Sequence, residues 1–483
     1  MREQVTVTII LLLAACASAG AQEGRIQLKD PLDGTFYDAE TTLDDQTDVA
    51  VTVYNNNLAL VRDRRKVVLY PGEVSLKFMD VAQQIRPETV SLRSLTAPDA
   101  LRILEQNYEY DLMSPAKLME KYVGRPVRLV NFSREIGFQE QEATLLSVNE
   151  GPVYQVEDAI YLGHPGQVVL PEIPEELIAK PSLIWLLANS GTDHDVEVTY
   201  LTGGIQWRAD YVITLERSDV QMDLEGWVTL NNQSGAQYTD ARLKLVAGEV
   251  NLVRPEPRRH KGAQPLMEMA QAPAPMREEA FAEYHLYTLP RRTTVKQNES
   301  KQVSLLTAAG IGVAKVYEYR GSEGFYSQPI RPTKDEKVAV FLEFANSKEN
   351  QLGVPLPAGV MRVYQEDTEG MLQFAGEDRL EHTPKDEDVR LRLGNAFDVV
   401  GERTQTDFER IAERVFESAY EIKIRNHKEN DVTVDIVEPM TDDWRILENS
   451  HEYVKRDART AVFAVAVPKD GETVVSYRVR VNY

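Results

Sequence analysis

Cysteine is nearly absent from this sequence, and no hydrophobic run is long enough to cross a membrane. The single cysteine among 483 residues is Cys16, so the chain beyond it can form no internal disulfide, no thiolate metal site and no thiol nucleophile. The apolar run at residues 5–15 spans about eleven residues, too few for a helix to cross a hydrocarbon core ~30 Å thick. The sequence therefore predicts no membrane-spanning helix.

Motifs of the common catalytic and cofactor-binding sites are also missing. The sequence has no Gly-x-Ser-x-Gly elbow, no P-loop and no dinucleotide fingerprint, because residues 202–204 are too short a glycine-containing segment for one. None of the seven histidines follows another at helical ligand spacing. Asp193, His194 and Asp195 resemble part of a hard-metal site, but their place in a predicted turn favours side chains exposed to water. We therefore predict no cofactor, no metal site and no assignable catalytic residue.

The charge of the chain is strongly acidic. A total of 54 Lys and Arg against 76 Asp and Glu gives a formal net charge of −22, with an isoelectric point near 4.9. Such a surface repels the phosphates of nucleic acids and of anionic lipids, so we expect no nucleic acid partner. Hydrophobic residues make up 42% of the chain, which is enough to build packed cores.

Residues 1–21 have the form of an export signal. Arg2 precedes the apolar run, and the small residues Ala-Ser-Ala-Gly-Ala follow it. Residues 13–16, Leu-Ala-Ala-Cys, match a lipobox in which Cys16 is lipidated, whereas ordinary cleavage after Ala19 or Ala21 discards that cysteine. We expect an exported protein, either free in the periplasm or anchored by a lipid on Cys16 to the outer membrane, as Ala17 after the cysteine favours.

Strand patterns, turn clusters and composition divide the rest of the chain. The predicted segments are a flexible acidic tether at 22–48, an N-terminal β domain at 49–180 with a small β-barrel-like insert at about 104–175, a central β-sandwich part at 181–253, a disordered Pro/Ala/Met linker at 254–282, a β domain completing the central sheet region at 283–400 and a C-terminal β-sandwich domain at 401–483. One helix is predicted at 116–123, with Ser114 as N-cap and Pro115 at the first position.

A weak internal repeat supports sandwich domains. At four places, beginning at Ile184, Trp227, Val340 and Tyr420, an apolar strand runs into a turn containing asparagine and then into a second strand. We interpret each as a hairpin whose asparagine adopts the special backbone geometry of the turn. Residues 461–467 and 473–481 predict a terminal hairpin, and residues 405–418 are interpreted as strand. The expected fold class is mainly β: tandem antiparallel β-sandwich domains of immunoglobulin or fibronectin type, with a small β-barrel and one short helix.

Five sequence segments resemble, in order along the chain, segments of one protein family. They are YLTGGIQWRADY at 200–211, GWVTLNNQSG at 226–235, KLVAGEVN at 244–251, FAEYHLYTLPRRTTVKQNESKQVSLL at 281–306 and YEIKIRNHKENDVTVDIVEP at 420–439. Together they resemble the bacterial family catalogued as domain of unknown function 4139, whose relatives are sometimes labelled mucoidy-inhibitor-like. That resemblance implies no activity and no catalytic residues, because the family has none established. Many relatives have a long N-terminal coiled coil, and this sequence shows no sustained heptads.

The centre of the chain, at 196–250, supplies the candidate binding residues. Gly203 and Gly204 interrupt a strand pattern and indicate a bulge or a tight bend. The candidates, next to this bend or downstream of it, are Trp207, Arg208, Asp210, Tyr211, Tyr284 and His285. In one interpretation Trp207 stacks on a sugar or peptide that Arg208 and Asp210 orient. In the other, which we favour, Trp207 and Tyr211 fill the sandwich core while Arg208 and Asp210 point outward.

These observations favour a binding function over catalysis. We expect a non-enzymatic binding or scaffold protein of the cell envelope that contacts a protein or a polysaccharide through sheet edges and loops. The alternative is a carboxylate-dependent hydrolase of envelope polysaccharide or peptide, with its site near Gly203 and Gly204. Two converging carboxylates, one with a raised pKa, would favour the hydrolase, and a flat surface above a buried Trp207 would favour binding.

Overall fold

The structure, a computed structural model, describes residues 37–109, 114–133, 137–163, 166–173, 180–248, 250, 276–281, 283–440 and 443–483. The predicted export signal, the lipidation site Cys16 and most of the predicted linker lie outside these residues. The described chain is mainly β, as the sequence predicted, and it forms two compact units. One contains residues 37–48 and 62–200, and the other contains residues 49–61 and 201–483.

The first 13 strands and the α-helix come before residue 203. They are β1 Tyr37–Thr41, β2 Gln46–Tyr54, β3 Leu58–Val68, β4 Gly72–Met79, β5 Ser91–Ser94, β6 Leu101–Glu109, α1 Pro115–Lys121, β7 Pro126–Ser133, β8 Gly137–Ser147, β9 Val153–Val156, β10 Ala159–Leu162, β11 Gln167–Val169, β12 Ser182–Asn189 and β13 Asp193–Thr202. Short 3-10 helices lie at Leu43–Asp45, Pro87–Thr89 and Pro98–Ala100.

The first unit contains a four-stranded sheet in the order β1-β4-β12-β6. The alternation of β4 and β12 buries Phe78 and Trp185, whose rings meet edge to face with centroids 5.9 Å apart. β1 lies within the predicted tether, and it is ordered because it pairs in parallel with β4 along its whole length. Residues 37–48 therefore belong to the folded part of the chain.

The insert of the first unit is an open sheet. Its five strands follow the order β10-β9-β8-β7-β11, with β10 and β11 at the two ends, so the predicted small barrel is wrong. Among the described strands, β10 pairs with β9 alone and β11 with β7 alone, so no pairing closes the sheet into a cylinder. The predicted helix is confirmed, because Ser114 Oγ accepts a hydrogen bond from the Lys117 N–H at 3.2 Å and Pro115 begins α1.

The remaining strands follow residue 204. They are β14 Ile205–Leu215, β15 Gln221–Asn232, β16 Tyr238–Ala247, β17 Arg277–Phe281, β18 Tyr284–Thr288, β19 Thr293–Val295, β20 Glu299–Gly312, β21 Ala314–Arg320, β22 Glu336–Ala345, β23 Gly359–Glu366, β24 Leu372–Leu380, β25 Asp388–Ala412, β26 Val415–Asn426, β27 Val432–Pro439, β28 Asp443–Asn449, β29 Val454–Asp457, β30 Thr460–Val467 and β31 Gly471–Asn482. A 3-10 helix lies at Glu323–Tyr326.

Two large sheets organise the second unit. One has the order β20-β15-β14-β23-β24, and the other has the order β28-β31-β26-β25-β22-β21-β27-β30-β29. Most pairings are antiparallel, as predicted, but β14 pairs in parallel with β23 and β21 with β27. β25 runs continuously through residue 400, where the sequence analysis places a domain boundary. The interpretation of residues 405–418 as strand is confirmed by β25 and β26.

The predicted hairpins are arches instead. β12 pairs with β4 and β6, whereas the next strand, β13, pairs with β5; β26 pairs with β25 and β31, whereas β27 pairs with β21 and β30. Likewise β31 pairs with β26 and β28 and not with β30, so the predicted terminal hairpin is wrong. A hairpin and an arch have the same kinds of turn residue. In a hairpin the two strands pair with each other, whereas in an arch each strand pairs with different strands elsewhere in the chain.

A buried asparagine fixes each of the four predicted turns. Asn189, Asn232, Asn346 and Asn426 lie at or directly after the end of a strand, and all four side chains are buried. None has a positive φ, so the expected special backbone geometry is wrong. The side-chain amide acts instead: Asn426 Nδ2 donates to the carbonyls of Asn430, Val467 and Pro468 at 2.9–3.2 Å, and its Oδ1 accepts from the Lys428 N–H. One side chain thus binds several segments of the arch together.

We expect Asn426→Ala to lower the free energy of unfolding by about 2–3 kcal/mol, because buried carbonyls and one N–H lose their partner together. Urea unfolding followed by tryptophan fluorescence measures this. Asn430→Ala removes an exposed amide from the same arch and should change stability by no more than about 0.5 kcal/mol. Equal effects of the two variants would refute the bracing role of Asn426.

Candidate functional site

Alternation along β14 places the sequence-predicted site residues on opposite faces of one sheet. Trp207 is 3% exposed and its Nε1–H donates to the Val246 carbonyl at 3.3 Å. Tyr211 is also buried, and its hydroxyl donates to the Pro357 carbonyl at 2.8 Å. The Trp207 and Tyr287 ring centroids lie 6.5 Å apart. These aromatic side chains form core, so Trp207 and Tyr211 are not placed to stack on a ligand.

Arg208 and Asp210 lie on the other face of β14, where they form an ionic cluster. Asp210 is only 5% exposed, and three donors converge on its carboxylate: Thr229 Oγ1 at 2.7 Å, Arg208 Nε at 3.1 Å and Arg362 Nη1 at 3.1 Å. Burial alone raises the pKa of Asp210, but the hydrogen bonds from Thr229 and Arg362 and the charge of Arg208 outweigh it, so the pKa lies below its ordinary value. The carboxylate is therefore held ionised.

Both arginines of this cluster remain accessible to solvent. The Arg208 side chain is 52% exposed and that of Arg362 is 35% exposed. Arg362 Nε also lies 3.2 Å from Glu377 Oε2, on the neighbouring strand β24. Each guanidinium has five N–H donors in a rigid plane, and the contacts to Asp210 and Glu377 occupy only some of them. The remaining donors are oriented before any ligand arrives.

The cluster is part of a polar row that crosses the whole sheet. On β20, Gln302 Nε2 donates to Thr229 Oγ1 at 3.2 Å, which extends the row beyond Asp210. Trp227 of β15 is the direct cross-strand partner of Asp210 and is partly exposed. We call this surface the Arg208 face. It consists of Arg208, Asp210, Trp227, Thr229, Gln302, Arg362 and Glu377.

Tyr284 and His285 lie on β18. They contact Gly248 and Glu278, respectively, and neither of these contacted residues belongs to the Arg208 face. His285 Nδ1 faces Glu278 Oε1 at 2.8 Å, and the Tyr284 ring packs against the backbone of Gly248. Gly248 has a φ of +130°, and a Cβ there would approach Tyr284 Cδ1 to 2.5 Å, so this contact requires glycine. The structure thus brings together only Arg208 and Asp210 among the predicted binding residues on one accessible face.

Asp193, His194 and Asp195 begin β13 and do not form a turn; Asp193 is exposed, as expected, whereas His194 is not. His194 is buried on β13, with Nδ1 3.0 Å from Ser94 Oγ and Nε2 3.0 Å from Asn189 Oδ1. Burial lowers the pKa of His194, although Asp193 acts in the opposite direction. The imidazole supports the Asn189 arch in its neutral form. Within the described residues, no group of three or more His, Cys, Asp or Glu side chains is arranged to hold a metal ion.

Sequence reasoning missed two ion clusters that are built on buried carboxylates, because their members are far apart in the chain. Glu197 is buried beside Arg64 and Arg93. Burial raises the pKa of Glu197, but the hydrogen bonds from these two arginines outweigh burial, so the pKa lies below its ordinary value. Close to Arg64 in the sequence, Arg65 is fully buried and its Nη2 donates to Asp63 Oδ2 at 2.8 Å. The second cluster joins Arg403 to Glu438 in the core of the nine-stranded sheet region.

A carboxyl group with a raised pKa lies on β27, away from the predicted bend. Burial raises the pKa of Asp435, Arg456 lowers it, and Glu318 and Glu343 raise it further. Glu318 is the cross-strand neighbour of Asp435, and Arg390 Nη2 holds it at 2.7 Å. Arg390 Nε also lies 2.7 Å from Glu343 Oε1, so one guanidinium contacts two carboxylates of this sheet face.

The fold and the Arg208 face define a mainly β protein of paired sheets with an ordered, partly exposed polar surface. The described part of the chain contains no helix that is long and apolar enough to span a membrane. Residues 196–483 match the family described as Domain of unknown function (DUF4139). This match covers more than half of the chain, which therefore belongs to that family. A search of curated proteins finds no match to the chain.

Proposed function

We propose that this chain is an exported, non-catalytic binding protein, and that the Arg208 face contacts a partner protein of the cell envelope. The observation that carries the proposal is the arrangement at Asp210, where one buried carboxylate fixes two exposed guanidinium groups. Arginine and tryptophan supply most of the binding energy in many protein interfaces. Here Arg208, Arg362 and the partly exposed Trp227 are contributed by three adjacent strands.

Preorganisation supports a binding function for this face. An exposed arginine normally loses side-chain entropy when a partner immobilises it. Arg208 and Arg362 are already held by Asp210, so less freedom remains to be lost on binding. The charges of Arg208 and Arg362 are balanced by Asp210 and Glu377, which favours a partner with paired polar groups over a densely charged polyanion.

The same geometry argues against the alternative of a carboxylate-dependent hydrolase at the bend. A general acid must hold its proton near neutral pH, which requires a raised pKa. The pKa of Asp210 is lowered, and its carboxylate already accepts three hydrogen bonds. The nearby Glu377 is paired with the same guanidinium, Arg362, so both carboxylates are already engaged by a cation.

Export to the envelope is part of the proposal and rests on residues 1–21, which lie outside the described structure. Mass spectrometry of the N-terminal peptide of the mature protein tests export. We expect a chain that begins at a lipidated Cys16 or after Ala19 or Ala21. A full-length chain that retains Met1 in the cytoplasm would contradict export.

The binding proposal is tested by affinity capture from envelope extract. We expect the intact exported protein to retain a specific partner protein, and Arg208→Ala to retain at least tenfold less, because a central arginine is removed while Thr229 and Arg362 still hold Asp210. Arg445→Ala, an exposed arginine on β28, is the matched control and should behave as the wild type.

Three outcomes would contradict the proposal. Equal recovery of the partner by Arg208→Ala would move the interface to another surface. Retention of carbohydrate without protein would replace the proposed partner by a polysaccharide. Absence of any retained molecule would reject the binding function.

A further inference from the structure

An open pocket of about 210 Å³ lies in the unit that contains residues 49–61 and 201–483. The pocket lies where the ends of β14 and β23 meet β21, β22 and the middle of β25. The residues that decide its chemistry are Lys428, Lys315, Tyr317, Phe397, Leu393 and Asp398. None of them belongs to the Arg208 face, so the site is independent of the proposed function.

The pocket contains one cation without a carboxylate partner among the described residues. Lys428 Nζ donates to Tyr317 Oη at 2.9 Å, and no described carboxylate oxygen lies within 4.0 Å of it. By contrast, Lys315 Nζ is paired with Asp219 Oδ2 at 3.0 Å. An ammonium has three donors and Tyr317 takes one of them, so two donors of Lys428 remain for an anion.

An apolar wall accompanies this cation. Phe397 is 86% exposed at the pocket, although a phenylalanine ring is favoured inside a protein. Leu393 and Val340 add aliphatic surface to the same lining. A ligand that covers Phe397 would remove this ring from water, which is favourable in proportion to the area buried.

We propose that this pocket binds a small monocarboxylate that carries an apolar or aromatic group. Its carboxylate would contact Lys428 and Tyr317, and its apolar group would pack on Phe397 and Leu393. A single negative charge fits the site, because Asp398 also lines the pocket and the whole chain has a formal net charge of −22, both of which repel a polyanion.

Isothermal titration calorimetry of the intact protein tests this site with N-acetyl-phenylalanine and its neutral amide as probes. We expect the acid to bind at least tenfold more tightly than the amide, since a charge-assisted hydrogen bond is made only by the acid. Lys428→Gln should weaken binding of the acid at least tenfold, and Lys428→Arg should retain most of it. Phe397→Ala should weaken both probes several-fold.

Lys337→Gln is the matched control, because Lys337 is an exposed lysine of β22 outside the pocket. Melting temperatures of all variants establish that each is folded. Equal affinity for acid and amide, unchanged binding by Lys428→Gln, or no heat of binding by the wild type at millimolar acid would each overturn the proposal.

Discussion

Glu438→Ala is expected to lower the free energy of unfolding by about 3–5 kcal/mol, because it leaves the buried Arg403 guanidinium without its counter-charge. Both side chains are almost fully buried, and Arg403 Nη1 and Nη2 donate to the two oxygens of Glu438 at 3.0 and 2.5 Å. The hydroxyls of Tyr326 and Tyr477 donate to the same carboxylate at 2.6 and 2.9 Å. One truncation therefore removes the acceptor of four hydrogen bonds.

The backbone around this pair is shaped to admit it. A Cβ on Gly321 would lie 2.7 Å from Glu438 Oε2, so only glycine leaves room for the carboxylate. Burial raises the pKa of Tyr326 and of Tyr477 well above the ordinary value, which keeps both phenols protonated as donors. The cluster is a bracing element of the core, since its members are enclosed by buried side chains.

The double variant Arg403→Met, Glu438→Leu is the control for this prediction. Replacing both charges by apolar side chains should recover most of the lost stability, because the desolvation penalty disappears with the ions. Urea unfolding monitored by tryptophan fluorescence gives both values. A loss below about 1 kcal/mol for Glu438→Ala, or an equal loss for the double variant, would refute the strong coupling of this pair.

Trp207→Ala is expected to destabilise the protein by about 3–5 kcal/mol, as large aromatic truncations in a core do. The side chain is buried and donates to the Val246 carbonyl, so its removal leaves a cavity and an unpaired acceptor. Trp227→Ala should lower stability by only about 1 kcal/mol, because the ring is partly exposed. It should instead weaken capture of the partner protein.

Thermal unfolding and affinity capture together distinguish the two tryptophans. Trp207→Ala should lower the melting temperature more than Trp227→Ala does, and Trp227→Ala should lower the amount of captured partner in a protein that is still folded. A stable Trp207→Ala variant that has lost its partner, or a Trp227→Ala variant with undiminished capture, would contradict the assignment of the two faces.

Alternation along one strand predicts only part of the Arg208 face. The period of two along β14 already separates Trp207 and Tyr211 from Arg208 and Asp210. It does not reveal that Asp210 is buried, because that depends on Thr229 of β15 and on Arg362, which is 152 residues away. β23 brings Arg362 to this place only through a parallel pairing with β14, a long-range event without local signal.

The arches show the same limit for the fold. The asparagine turns are visible in the sequence, and for three of them strands lie on either side as predicted; after Asn346 the next strand begins only at Gly359. The partner of each strand was not, because hairpin and arch have the same local pattern and differ in pairing with strands far along the chain. The helix after Ser114 was predicted well because its cap is entirely local. Buried ion pairs such as Arg403 and Glu438 look like surface charges until the fold brings them together.

Site-specific photo-crosslinking in living bacterial cells tests most directly whether the Arg208 face binds a partner protein. A benzophenone amino acid replaces Gln206, an exposed residue on the outward side of β14 next to Arg208. We predict a discrete crosslinked protein that is absent when the same probe replaces Lys337, and that disappears when Arg208→Ala is combined with the probe. Crosslinks of equal intensity at both positions, or none at Gln206, would contradict a binding role for the Arg208 face.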